Sequence, residues 1–197
     1  MQRVFDPKCR PEEYQQQGKS YPFPDLTQEL CPQCLSDLLK RHGFYSRWLC
    51  AIGFSGEIRI RRFLCKTCGK TVSLLPSFAH PRMSHSILFI IVVLSRFYLD
   101  EASVTQALKI FYQDTGQCCS RQLLGQFRKR FQENLNRLIM EIIALMRLKS
   151  PLVTAPVEKQ RQRARQLLEY IQSLNSEDVS LKLFELSRTT YLTAIAN

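Results

Sequence analysis

The pattern of apolar and polar positions changes character near Pro81. Before it, "LLKRHGFYSRWLCA" (38–51) and "GEIRIRRFLC" (56–65) are rich in β-branched and aromatic residues. "GFSG", Gly53 to Gly56, supplies turn residues between them, which predicts two antiparallel strands. A third strand is expected over "TVSLL", Thr71 to Leu75, ended by Pro76. Strict alternation puts Arg59 and Arg61 on one face and Ile58, Ile60 and Arg62 on the other. It likewise groups Arg41, Tyr45 and Arg47 against His42, Phe44 and Trp48.

Beyond Pro81 the period becomes helical. "SHSILFIIVVLSRFYLDEAS" offers Ser84 and Ser86 as N-caps and then runs apolar nearly all round, which predicts a buried helix; a buried strand is the alternative. "SVTQALKIFYQDTG" opens with a capping box, Ser103 and Gln106, and stops at Gly116. One long helix is expected to follow from the N-cap Ser120. Its apolar stripe is Leu124, Phe127, Phe131, Leu135, Leu138, Ile142 and Leu145. Gln122, Gln126 and Lys129 lie opposite the stripe, Arg121 near the start, and Arg128 and Arg130 beside the stripe. The continuation to Leu145 could serve as a dimer seam, so a homodimer is one expectation. "SPLVTAP" (150–156) looks like a linker, and two short helices are expected in the tail after it. The organisation expected is an N-terminal arm (1–30), a small β module (31–84), a helical domain (85–150) and a helical tail (151–197).

Charge sharpens this picture. The net charge of the 197 residues is +11, and the excess is local. Residues 31–86 carry nine Lys/Arg against two Asp/Glu, and residues 87–150 nine against five. A localised basic field points to a polyanion such as nucleic acid more than total charge does. The longest apolar run, "ILFIIVVL", is too short to span a bilayer, and the N-terminal stretch lacks the apolar core of a secretory signal. The expectation is a cytoplasmic, nucleoid-associated protein without membrane contact, in a compartment where thiols stay reduced.

Eight cysteines then need a use. Cys31 and Cys34 ("CPQC") and Cys65 and Cys68 ("CKTC") form two knuckles whose thiolates complete the tetrahedron Zn²⁺ prefers. The intervening thirty residues exceed the usual spacing of about 15–20, and the predicted hairpin absorbs the excess. Two knuckles joined by antiparallel strands make a zinc ribbon holding one structural Zn²⁺ per chain. The fold class expected is therefore α+β, a small antiparallel zinc ribbon followed by a mainly helical helix-turn-helix region. The competing readings are reduced, buried cysteines without metal, or a redox pair; no βαβ pattern accompanies either motif. His42, His80 and His85 are substitute ligands should one cysteine be unused. Cys50 reads as a small hydrophobe, and Cys118 and Cys119 as part of the turn between helices.

The candidate chemistry is recognition. Arg47, Arg59 and Arg61 suit phosphate contact beside an aromatic face. In a helix-turn-helix the first residues of the second helix reach base edges, where Gln pairs with adenine and Arg with guanine. That singles out Arg121, Gln122, Gln126 and Lys129, with Gly125 allowing close approach to a duplex or to a packed helix. An ordinary helical hairpin with a charged outer face is the plainer alternative. The six aspartates form no set suited to two Mg²⁺ ions, and no phosphate-binding Gly-rich loop occurs. The expectation is a non-enzymatic binder of double-stranded DNA. The alternatives are an interaction adaptor for a transposase or transcription complex, and a small nuclease.

"CPQC", "RHGFYSRWL" and "IRIRRFLCKTCGKTVSLLPSFAHPRMSHS" together resemble the zinc-ribbon region of bacterial insertion-sequence and transposon proteins. They are closer still to a mobile-element-associated, transposase-like bacterial family, best over residues 31–86. The resemblance implies DNA recognition in mobile-element biology, with Cys31, Cys34, Cys65 and Cys68 as ligands. Two departures stand out. Leu35 occupies the position where many ribbons place Gly, which predicts a less regular first knuckle. The carboxylate nuclease domain of a complete transposase is missing.

Overall fold

The computed structural model describes residues 1–146 and 152–174. The fold is mixed α+β, a four-stranded sheet and six α-helices among the described residues, five of them after the sheet. The chain divides into two compact units, Met1–Ser86 and Ile87–Asn197.

The first unit is built on a sheet of order β1-β4-β3-β2. The strands are β1 (Gln2–Phe5), β2 (Leu39–Ala51), β3 (Phe54–Cys65) and β4 (Thr71–Pro76). β2 and β3 form the long hairpin, closed by Ile52 and Gly53, where Gly53 takes φ +75° that a side chain would resist. β4 runs antiparallel to β3, as expected, and β1 runs parallel to β4. The far end of edge strand β2 is closed by the Ser84–Ser86 segment, with Cys50 N donating to Ser84 O (2.6 Å) and Ser86 N to Cys50 O (2.8 Å).

The first thirty residues are not a separate arm. Besides β1 they supply α1 (Pro11–Gln17), begun by a proline whose missing N–H costs nothing there, and a 3₁₀ turn (Gly18–Ser20). Tyr14, fully buried, donates its hydroxyl to Arg59 O in the middle of β3 (2.8 Å). Its ring lies 4.8 Å from Tyr21, 5.9 Å from Phe23 and 5.6 Å from Phe78. A sheet of this size has too little apolar surface of its own, and the N-terminal aromatics complete the core.

Alternation along β2 is broken at His42. Arg41 pairs with Phe63 and Gly43 with Arg62, so His42 has no opposite number. Such a bulge turns everything before it onto the other face. Arg41 therefore does not share a face with Tyr45 and Arg47. Directly opposed residues point the same way, so the pairs Arg41–Phe63, Phe44–Arg61 and Ser46–Arg59 gather on one face. Tyr45 and Arg47, opposite Ile60 and Ile58, gather on the other.

The second unit contains α2 (Ile87–Tyr98), α3 (Val104–Thr115), α4 (Arg121–Glu133), α5 (Leu135–Met146) and α6 (Gln160–Gln172). α2 is the buried helix of the sequence pattern and packs against α3, α4 and α6. Phe89 meets Phe111 at 4.9 Å, and Tyr98 meets Phe131 at 6.1 Å. The Phe97 ring is covered by two guanidinium groups, Arg128 at 3.8 Å and Arg161 at 4.9 Å.

The long helix after Ser120 is interrupted at Asn134, whose φ of −99° and ψ of 0° leave the helical region. The cause is its side chain: Nδ2 donates to Arg130 O (2.8 Å), while Oδ1 accepts from Arg137 Nε (3.2 Å) and Nη2 (3.1 Å). A short amide of this kind competes with the backbone ladder. The apolar stripe nevertheless holds its phase across the break. Leu124, Phe127, Phe131, Leu138 and Ile142 are fully buried and Leu135 nearly so. The stripe from Leu124 to Ile142 is thus buried within its own unit, and Leu145 is half-buried.

The tail's first expected helix is α6, which contributes the buried Leu167, Leu168 and Ile171. The second expected helix lies outside the described residues. The described part of the linker is pinned to α6: Thr154 N and Ala155 N donate to Gln166 Oε1 (3.2 and 3.1 Å), and Arg163 Nη1 donates to Ala155 O (3.0 Å).

Candidate metal centre and nucleic-acid interface

Each cysteine pair sits in a tight knuckle, and the two knuckles repeat the same hydrogen bonds. Cys31 N donates to Ser36 O (2.7 Å) and Leu35 N to Cys31 O (2.9 Å). Cys65 N donates to Lys70 O (2.9 Å) and Gly69 N to Cys65 O (3.0 Å). The fifth residue of each knuckle must turn left-handed. Gly69 does so at φ +70° and Leu35 at φ +59°. The first knuckle is therefore as regular as the second, and Leu35 bears the backbone strain a glycine would avoid. The knuckles are tied together by Lys66 N to Leu38 O (3.0 Å) and by Ser36 Oγ with Thr67 Oγ1 (2.7 Å).

This brings all four predicted sulfurs together. Cys31 Sγ lies 3.8 Å from Cys68 Sγ and Cys34 Sγ 3.5 Å from Cys65 Sγ, and all four fall within 4.8 Å of one another. Four thiolates at metal–sulfur distances of about 2.3 Å stand about 3.8 Å apart in a tetrahedron. The set could therefore hold a metal ion with no vertex left over. Backbone N–H groups of Cys68, then Thr67, favour the Cys65 thiolate and draw its pKa down to about 6. For Cys34 the Ser36 amide pulls downward. It is outweighed by desolvation and by hydrogen bonds with the other three sulfurs, which push that thiol up to about 12.

The remaining candidates stand apart. His42, His80 and His85 are not in the cluster, nor is Cys50, whose Sγ faces Ser55 Oγ at 3.7 Å. Cys119 is buried in the turn before α4, and burial raises its thiol to about 11; Cys118 is exposed. Among the described residues the four cysteines are the one group of three or more metal-ligating side chains. Asp6 pairs with Lys8, Asp25 with Arg41, and Asp100 and Asp114 both with Arg96.

The three strand arginines have different surroundings. The Arg47 guanidinium donates to the carbonyls of His80 and Met83, and burial depresses its pKa. Arg59 donates to Ser46 Oγ and lies 3.7 Å from Glu57. Arg61 is half-buried, stacked over Phe44 at 4.6 Å and 5.7 Å from the Phe63 ring.

In the second unit the capping box forms as expected, Gln106 N to Ser103 Oγ (3.3 Å) and Ser103 N to Gln106 Oε1 (3.0 Å). α3 ends at Gly116, left-handed at φ +67°. A four-residue turn leads to Ser120, whose Oγ accepts from Leu123 N (3.1 Å) to start α4. Arg121, Gln122, Gln126 and Lys129 are all exposed, opposite the buried Leu124, Phe127 and Phe131. Arg121 Nη2 reaches Thr105 Oγ1 on α3 (3.0 Å), and Lys129 lies 4.0 Å from Glu133. A Cβ at the exposed Gly125 would meet nothing within 4 Å, so packing does not require that glycine.

The sequence reading missed Lys19 and Arg41 as neighbours of Arg61. Both line one depression with it, together with Asp25 and the Phe23 and Phe44 rings. The bulge that brings Arg41 there has only Gly43 as a local signal, since glycine favours the φ of +100° found at that residue.

A family model described as a domain of unknown function, DUF6431, matches residues 31–109. The match begins at the first knuckle cysteine, includes all four, and runs through α2 into α3. No curated protein and no solved structure matches the chain. No helix among the described residues is long and apolar enough to cross a membrane.

Proposed function

We propose that this chain is a zinc-dependent protein that binds double-stranded DNA, with α3 and α4 as a helix-turn-helix and the β2–β4 module as a zinc ribbon. The observation that carries the reading is the exposed side of α4. Arg121, Gln122, Gln126 and Lys129 project from its first turns, behind a left-handed Gly116 turn and a Ser120 cap. These are side chains able to make bidentate contacts with guanine and adenine or to reach phosphates. They come from a chain of net charge +11.

Zinc is the metal that suits four thiolates in a tetrahedron, and a closed set gives it a structural role rather than a catalytic one. It would lock the loop before β2, which carries Cys31 and Cys34, to the turn between β3 and β4, which carries Cys65 and Cys68. Arg59 and Arg61 then serve phosphate contact, whereas Arg47, engaged with two carbonyls, organises the 80–83 loop. The resemblance over residues 31–86 supports a role beside a mobile element, with the chain acting as a binder that performs no cleavage itself.

A second reading, an adaptor that docks a transposase or transcription protein, is favoured by one observation. Leu30, Leu35 and Leu38 around the first knuckle are 53%, 71% and 49% exposed. Gel shifts on duplex DNA over a salt series separate the two. The DNA reading expects log affinity to fall linearly with log salt, by about 0.9 per phosphate contact. It also expects Gln122→Ala and Gln126→Ala to flatten sequence preference. Absence of binding at low salt would refute it and favour the adaptor.

A further inference from the structure

We infer that the depression between the 19–25 segment and the bulged end of the β2–β3 hairpin is a phosphate-binding pocket centred on Arg61, with Lys19 as its second cation. The inference rests on the phosphate-contact half of the DNA reading and assigns it to a built site. The cavity is about 230 Å³, and Lys19, Tyr21, Phe23, Arg41, Phe44 and Arg61 are among its lining residues. That is below the roughly 300–1,000 Å³ of pockets for drug-sized ligands, and suits a single phosphate group.

The surroundings of Arg61 decide the chemistry. One face of its guanidinium is stacked on Phe44, at 4.6 Å, and Phe44 is itself braced by Phe23 at 5.5 Å. The ring contact holds the group in place and leaves its N–H donors available. No hydrogen bond or ion pair engages those donors among the described residues, and Lys19, exposed at the rim, has no ion-pair partner either. The one carboxylate lining the pocket, Asp25, is taken by Arg41 at 2.5 Å. Three cations against one anion leave a positive excess in a partly enclosed cleft. A fixed guanidinium fork matches two phosphate oxygens bidentately. A nucleobase is the poorer occupant, because the Phe44 ring it would stack on is already flanked by Arg61 and Phe23.

The phosphate can come from a DNA backbone or from a free phosphorylated compound, and one set of measurements separates these sources. Inorganic phosphate is titrated into the metal-loaded chain while the backbone amide NMR resonances of Phe23, Phe44 and Phe63, which line the depression, are followed. A short duplex is then added. The expected result is a saturable shift that weakens in Lys19→Gln, disappears in Arg61→Gln and is competed by the duplex. The salt slope of duplex binding falls by about 0.9 for each substitution. Lys19 is exposed, so its variant tests the site even should Arg61→Gln disturb folding. A saturable shift that the duplex does not compete keeps the pocket and assigns it a free phosphorylated ligand. No saturable phosphate shift, with a salt slope unchanged in both variants, overturns the pocket and leaves the α4 reading untouched.

Discussion

Replacing Tyr14 tests whether the first thirty residues belong to the core. Tyr14 is fully buried, donates to Arg59 O at 2.8 Å, and touches the rings of Phe5, Tyr21, Phe23 and Phe78. Tyr14→Phe keeps the ring contacts and removes one hydrogen bond, which costs about 1–1.5 kcal/mol. Tyr14→Ala empties the centre of an aromatic cluster, which costs about 3–5 kcal/mol. Urea unfolding at fixed metal concentration reads both, and an unchanged m-value shows that the comparison is of like states. pH supplies a second signature. Burial raises the Tyr14 pKa in the folded chain above that of a free tyrosine. The contribution of the neutral phenol is then fully present below about pH 10, the ordinary value, and is lost as pH rises above it. The alkaline loss of stability should be smaller in Tyr14→Phe. A Tyr14→Ala protein within about 0.5 kcal/mol of the parent would show that residues 1–30 are a dispensable arm and that the packing argument is wrong.

Two further outcomes follow. Gly125→Ala replaces a glycine in an exposed helix interior where a methyl group meets nothing, so the second unit should gain about 1 kcal/mol in thermal or urea unfolding. If α4 lies close against a duplex, the same variant should bind DNA more weakly, and a gain in both stability and affinity would remove Gly125 from the interface. Cys65→Ser should abolish stoichiometric metal in elemental analysis. It should also loosen the hairpin that carries Trp48, the only tryptophan, so that its fluorescence no longer reports a cooperative transition. Structural zinc supplies on the order of 10 kcal/mol, comparable to the stability of a whole domain. A variant that unfolds like the parent would show that the sulfur cluster stands without metal.

What could be read from the sequence was local in origin. Two CxxC spacings, a Gly-containing hairpin, a Ser103–Gln106 capping box and a 3.6-residue stripe each need only a few neighbouring residues to declare themselves, and the structure contains all four. The features that escaped depend on distant partners. β1 is four residues long and exists because β4 offers it an edge some seventy positions away. Asn134 breaks a helix whose apolar phase continues across it, so periodicity alone could not see the break.

The bulge at His42 had the largest consequence for the site. A residue-by-residue alternation placed Arg41 with Arg47 and apart from Phe44. One extra residue reverses that, because everything before a bulge changes face while everything after it keeps its place. Arg41 consequently joins Phe44 and Arg61, where it neutralises Asp25, while Arg47 turns to the opposite face and is taken up by the carbonyls of the 80–83 loop. Had the strand been regular, Asp25 would have lacked Arg41 and been the natural partner for Arg61 within the same pocket. The irregularity thus spares the Arg61 edge for an outside ligand. It follows that deleting His42, which removes the extra residue and leaves Arg41 opposite Phe63, should keep Arg41 on Asp25 and preserve phosphate binding at Arg61 in the same titration, whereas Arg41→Gln, which frees Asp25, should weaken it.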